Sequence, residues 1–144
     1  HKNVTQRLNL KKHARLPKPV IKIDCPCGSG ALYQDCCEPY HLSTGAPNAE
    51  KLMRSRFTAF CIHNAEYLYN TTHISQKKYT NKSDILAWAQ QNTWQKLEIL
   101  NSTENTVEFK AYFLDENKTP QIHHEKSTFI FFQNNWFYVD GKFY

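Results

Sequence analysis

Residues 25–37 read CPCGSGALYQDCC, which puts four of the chain's five cysteines into one short stretch. The spacing is C-x-C-x8-C-C, with Cys25 and Cys27 as one pair and Cys36 and Cys37 as the other. Adjacent cysteines are poorly placed to bond each other, and no secretory signal precedes them, so a disulfide framework does not suit the pattern. A redox dithiol is more typically C-x-x-C at the start of a helix. Spaced cysteine pairs in a reduced chain point to a metal site. Pro26 stiffens the first pair, and Gly28 and Gly30 let the backbone curl. Ser29 is expected to cap a short helix through ALYQDCC that carries the second pair inward. Four thiolates favour tetrahedral zinc, or iron in the same geometry. Such a shell leaves no position for water or substrate, so the ion is structural. It can contribute on the order of 10–16 kcal/mol to ordering a small knuckle. His41 is the reserve ligand, but with four sulfurs completing the shell a surface histidine is expected there. Cys61 reads as a small buried hydrophobe.

Upstream of the cysteines, residues 1–22 carry seven basic side chains (Lys2, Arg7, Lys11, Lys12, Arg15, Lys18 and Lys22) and no acid, whereas the rest of the chain is slightly acidic. This tail, residues 1–23, is expected to be a solvated extension able to attract nucleic acid or another acidic partner. Leu16-Pro17-Lys18-Pro19 is a stiff linker into the knuckle, residues 24–42. The first residue is histidine, and the N-terminal sequence has no apolar signal core. No run of about 18 apolar residues occurs, so no membrane span is expected. Reduced thiols without a signal favour the cytoplasm.

Downstream, residues 43–144 are expected to form an α+β domain. A helix opens at Pro47-Asn48-Ala49 and runs to about His63, with Ala49, Leu52, Met53, Phe57 and Phe60 on one face. At about 100° per residue, Arg56 falls in the middle of that apolar face and Arg54 on its flank. A guanidinium there needs a carboxylate or several carbonyls. Glu125 is the first candidate partner and Asp140 the second, either in a structural ion pair or beside a cavity that takes an anion. Asn64 can cap a second helix through Tyr67, Leu68 and Tyr69, and Ser83-Asp84 can start a third. Between them THISQKKYTNK is a polar connection, in which His73 reads as a surface or capping residue.

After Asn92 the pattern turns to strands. TWQKLEIL is the first. TVEFKAYFL alternates, with Val107, Phe109, Ala111 and Phe113 on one face. DENKTP and QNN are turns, QIHHEKSTFIFF is a longer strand whose end, apolar on both faces, is expected near the sheet centre, and WFYVDG closes an antiparallel meander. His123 and His124, being neighbours on a strand, point to opposite faces and cannot chelate one ion.

The C-x-C-G-S-G opening, the aromatic at Tyr33 and the closing Cys36-Cys37 resemble the SEC-C motif, the zinc knuckle of the SecA translocation ATPase. LMRSRFTAFCIHNAEYLYNTTH (52–73), TWQKLEIL, HEKSTF and WFYVDG resemble the YchJ family of bacterial proteins, which join SEC-C to a nuclear-transport-factor-2-like domain. Some members carry a second SEC-C motif; these 144 residues contain one. The resemblance implies a cone of helices packed on a curved antiparallel sheet, and contact with protein or the ribosome. No phosphate loop, dinucleotide fingerprint or Ser/His/Asp constellation stands in the sequence. A metal-binding adaptor module without catalysis is the favoured reading. The alternative is a small-ligand protein or enzyme using the cone around Arg56, with Arg54, Glu125, Asp140 and His73 as further cavity candidates.

Overall fold

The computed structural model describes residues 22–42 and 45–144. The basic tail, apart from its last two residues, Lys22 and Ile23, lies outside the described residues, and so does the nucleic-acid contact expected of it. Asp24 and Leu32 form an antiparallel bridge that closes the first cysteine loop. Gly28 (φ 79°) and Gly30 (φ 89°) turn that loop in the left-handed region, where a side chain would be strained. A 3-10 turn, Tyr33–Asp35, brings Cys36 and Cys37 back, and a short helix α1, Glu38–Leu42, follows. Ser29 does not cap the turn. Leu32 holds the cap position without a side-chain bond, and the Ser29 hydroxyl instead accepts from Ala31 N and meets Cys36 Sγ at 3.2 Å.

The central helix α2 spans Ala49–Cys61, and its Asn48 cap accepts from Lys51 N. The apolar face buries Ala49, Leu52, Met53 and Phe57 as the periodicity requires, but Ser55, Thr58 and Ala59 are buried as well. The helix is covered on two sides, by the sheet and by the knuckle. Helix α3, Ala65–Asn70, is capped by Asn64. The polar connection holds one more turn of helix, α4, Ile74–Lys77, capped by His73. Helix α5, Lys82–Gln91, starts at Asn81, just before Ser83-Asp84.

Four strands follow as a meander in the order β1-β2-β3-β4: β1 Thr93–Ser102, β2 Thr106–Leu114, β3 Pro120–Phe132 and β4 Asn135–Phe143. Gln133 and Asn134 adopt positive φ in the last turn. The inner face of β2 (Val107, Phe109, Ala111, Phe113) is buried, and its partners on β3 are Ser127, Glu125, His123 and Gln121. The end of β3 does not lie in the sheet centre. Pairing with β2 stops at Thr128, so Ile130, Phe131 and Phe132 have only β4 beside them and are exposed. The buried cysteines belong to the same continuous core as α2 and the inner sheet face.

Candidate functional site

The chain places its four clustered cysteines in one buried group, with every pair of sulfurs within 4.8 Å. Cys27 and Cys36 Sγ are 3.7 Å apart, and Cys36 and Cys37 Sγ 3.9 Å. These separations are too long for an S–S bond of about 2.05 Å. They match the edge of about 3.8 Å of a sulfur tetrahedron with metal–sulfur distances of about 2.3 Å. The four residues can therefore hold one metal ion. Hydrogen bonds from Cys25 and Cys37 draw the Cys27 thiol far below its ordinary range, while sharing those protons pushes Cys37 up and burial pushes Cys36 up. A bound cation would let all four ionise.

Three residues of α2, Arg54, Ser55 and Thr58, fasten the knuckle to that helix. Thr58 Oγ1 donates to Cys37 Sγ at 3.4 Å and lies 3.6 Å from Cys25 Sγ. Arg54 donates from Nη1 to the Cys27 carbonyl at 2.9 Å, while its Nε pairs with Glu50 at 3.1 Å. His41 sits 2.8 Å from both the Tyr33 hydroxyl and the Ser55 carbonyl. A carbonyl only accepts, so Nε2 carries the proton and Nδ1 accepts from Tyr33. His41 is thus neither a ligand nor a free surface residue; it is a half-buried strut. Cys61 is partly buried, and burial pushes its thiol up to about 12.

On the sheet side of α2 lies a cavity of about 230 Å³. Its walls are largely aromatic: Trp94 lies 5.2 Å from Phe60 and 6.4 Å from both Phe57 and Trp88 between ring centroids. Arg56, His123, Glu125, Ser127 and Tyr138 supply its polar lining. Arg56 is 9% exposed. Its Nη1 donates to the Leu68 carbonyl at 2.9 Å and Thr71 Oγ1 at 2.7 Å, and its guanidinium lies 4.7 Å from the centre of the Tyr138 ring. Burial lowers Arg56 from a value so high that it stays charged. Glu125 is not its direct partner. That carboxylate accepts from Ser127 at 2.5 Å and Tyr138 at 3.0 Å, and faces His123 Nε2 at 2.7 Å. Burial alone would raise Glu125, but these hydrogen bonds outweigh it and hold it below the ordinary carboxylate range.

The expected cavity set is otherwise redrawn. Arg54 faces the knuckle. Asp140 is exposed on β4 opposite Thr128, because a bulge between Thr128 and Phe129 shifts the register there. His73 caps α4 and packs against Phe132 and Phe137, away from the cavity. His123 enters instead. Strand alternation put it within reach, since Phe129, Ser127, Glu125 and His123 share one face of β3.

A four-cysteine knuckle packed against a small cone of helices and curved sheet defines a SEC-C motif protein with an NTF2-like domain. The SEC-C motif matches residues 24–39, and the middle NTF2-like domain of YchJ matches residues 48–141. The chain belongs to the YchJ family. A UPF0225 protein of Haemophilus influenzae (strain PittEE) is 42% identical over 123 residues, 81% of this chain and 76% of that protein. One from Photorhabdus laumondii is 38% identical over 125 residues, 81% of this chain and 79% of that protein. The solution structure of a SEC-C motif containing protein from Rhodopseudomonas palustris matches with a TM-score of 0.75 at 31% identity, covering 83% of this chain and 98% of that one. A crystal structure of another, from Psychrobacter arcticus, matches at 0.68 and 32%, covering 81% and 80%. Among the described residues no helix is long and apolar enough to cross a membrane.

Proposed function

We propose that the four cysteines hold a structural zinc ion and that the cone they brace receives a small organic anion. The observation that carries this reading is Arg56. It lines a cavity walled by aromatic rings, and among the described residues only its Nη1 has hydrogen-bond partners. The Nε and Nη2 donors of a buried guanidinium are left for a carboxylate or phosphate. Zinc is the reading because a closed tetrahedral shell of four thiolates is the shell of structural zinc sites. Metal analysis of protein purified without added metal separates the two, because an iron–thiolate centre is coloured and zinc is not. Quenching of Trp88 and Trp94 fluorescence by a panel of small aromatic carboxylates and phosphates tests the cavity. Binding that Arg56→Met weakens about tenfold or more supports the reading; a panel without effect on the wild-type protein ends it.

A second reading, docking of the knuckle on a protein or the ribosome in the cytoplasm, is favoured by two apolar side chains at its ends. Ile23 is 48% exposed and Leu42 76% exposed. A pull-down under reducing conditions would compare the wild type with an Ile23→Ser/Leu42→Ser variant that keeps every cysteine. A partner lost with those side chains supports docking; the same recovery from both baits removes it. Deletion of residues 1–22 tests nucleic-acid contact, which would weaken with salt.

A further inference from the structure

Ligand binding by Arg56 leaves one feature of the cavity unused. Glu125 Oε2 is fixed by the hydroxyls of Ser127 and Tyr138, and Oε1 faces His123 Nε2 at 2.7 Å. An ionised carboxylate accepts only, so Nε2 carries the proton and, in the neutral ring, Nδ1 presents a lone pair. Nδ1 has no partner among the described residues and is not sealed from solvent or the cavity. The ring is flanked by Phe109 and Phe143, with centroids at 6.0 and 5.4 Å. Room for the carboxylate is built into the backbone: a Cβ on Gly141 of β4 would overlap Glu125 Oε2. A histidine oriented by a carboxylate, in an apolar cavity that also holds a guanidinium with free donors, is the arrangement of a general base beside an electrostatic stabiliser.

We propose that His123 is a general base, positioned by Glu125, for proton transfer on a small aryl-substituted 2-oxo acid held by Arg56. This rests on the cavity being a ligand site. The cavity is below the roughly 300–1,000 Å³ of drug-sized sites, and its aromatic walls suit one aryl ring. In the step, a C–H bond next to the carbonyl breaks and its proton passes to His123 Nδ1. The electron pair becomes the C=C bond of an enolate, whose oxygen takes the negative charge and is met by the Arg56 donors. The proton then returns from Nδ1 to oxygen or carbon. The net change is tautomerisation, and no co-reactant is consumed.

Phenylpyruvate in D2O, followed by proton NMR, is the probe, with the metal-loaded full chain as catalyst. Phenylglyoxylate, which has the ring, carbonyl and carboxylate but no C–H to lose, reports binding alone. The wild type should accelerate exchange of the phenylpyruvate C3 protons above buffer, with a rate that falls as a single base is protonated. His123→Gln should lose about a hundredfold while still binding phenylglyoxylate. Glu125→Gln and Gly141→Ala, which disturb the positioning carboxylate, should shift the pH profile of the rate. Should His123→Gln fail to fold, the wild-type pH profile and Gly141→Ala still decide. Phenylglyoxylate binding without wild-type exchange, or exchange indifferent to His123→Gln, overturns the general base and leaves the ligand site standing. Failure of both probes to bind overturns the substrate class, and the wider panel of acids then decides the ligand site separately.

Discussion

The Thr58 hydroxyl donates to the sulfur of Cys37 at 3.4 Å, so the central helix of the cone contributes a hydrogen bond to the sulfur cluster. Thr58 is fully buried, and no solvent substitutes for that bond. Thr58→Val keeps the shape and removes the donor. We expect a loss of about 1 kcal/mol, a factor of about five in metal affinity. Competition with a chromophoric chelator measures it; unchanged affinity would mean that the hydroxyl only fills space.

Cysteine replacement should reach beyond the knuckle. Cys36→Ser with Cys37→Ser removes two of the four sulfurs that can hold a metal ion, and the knuckle's buried residues pack in the same core as α2. Amide exchange in α2, residues 49–61, should therefore quicken together with exchange in residues 24–42. If only the latter changes, the knuckle is energetically separate from the cone.

Stability should fall on mild acidification, and His41 is one named cause. Burial lowers His41 from its ordinary value of 6.5, outweighing the Ser55 carbonyl and the Glu38 charge, both of which favour the protonated ring. Below 6.5 the unfolded chain binds the proton that the folded chain resists, so stability drops as pH falls from 6.5 toward the lowered folded value. Urea midpoints for the wild type should decline between about pH 7.5 and 5.5 more steeply than those of His41→Gln. Metal loss in acid affects both proteins, so the difference isolates His41. As pH falls below 4.5, Glu125 and Glu50, both held low by their hydrogen bonds, add a further loss.

Arg56 also holds the fold together through the Leu68 carbonyl and Thr71. Arg56→Met leaves the Leu68 carbonyl and Thr71 short of a charged donor and should cost about 2–3 kcal/mol in urea denaturation. Arg56→Lys keeps the charge but not the planar fork over Tyr138, and should fall between the two. A change near zero for Arg56→Met would make the guanidinium a ligand group only.

Local signals in the chain were legible, and the failures share a cause. Asn48 and Asn64 cap the helices expected of them, and β2 alternates as read, because these patterns depend on neighbours in sequence. The four cysteines converge as their spacing implies. Ser55 and Thr58 were not legible as core, since the Thr58 hydroxyl is covered by the knuckle sulfurs and the Ser55 hydroxyl by Tyr67 of α3, away from the face that periodicity defines. Helix α4 is a single turn fixed by its His73 cap, too short for a period to show. The partner of Arg56 was misread because apolar surroundings signal a missing carboxylate, whereas carbonyls that satisfy a guanidinium leave no trace in residue identity. Asp140 was displaced by a one-residue bulge, which no alternation rule anticipates.

The bracing by α2 bears on how far the knuckle can be moved. Its sequence is portable: sixteen residues, 24–39, carry the whole motif. Its bracing is not. Arg54, Ser55 and Thr58, which hold the Cys27 carbonyl, the His41 ring and the Cys37 sulfur, belong to the next segment of chain. A peptide of residues 22–42 would have every ligand and none of that scaffolding. In this chain the knuckle and the cone are better regarded as one inheritance than as two modules on a string.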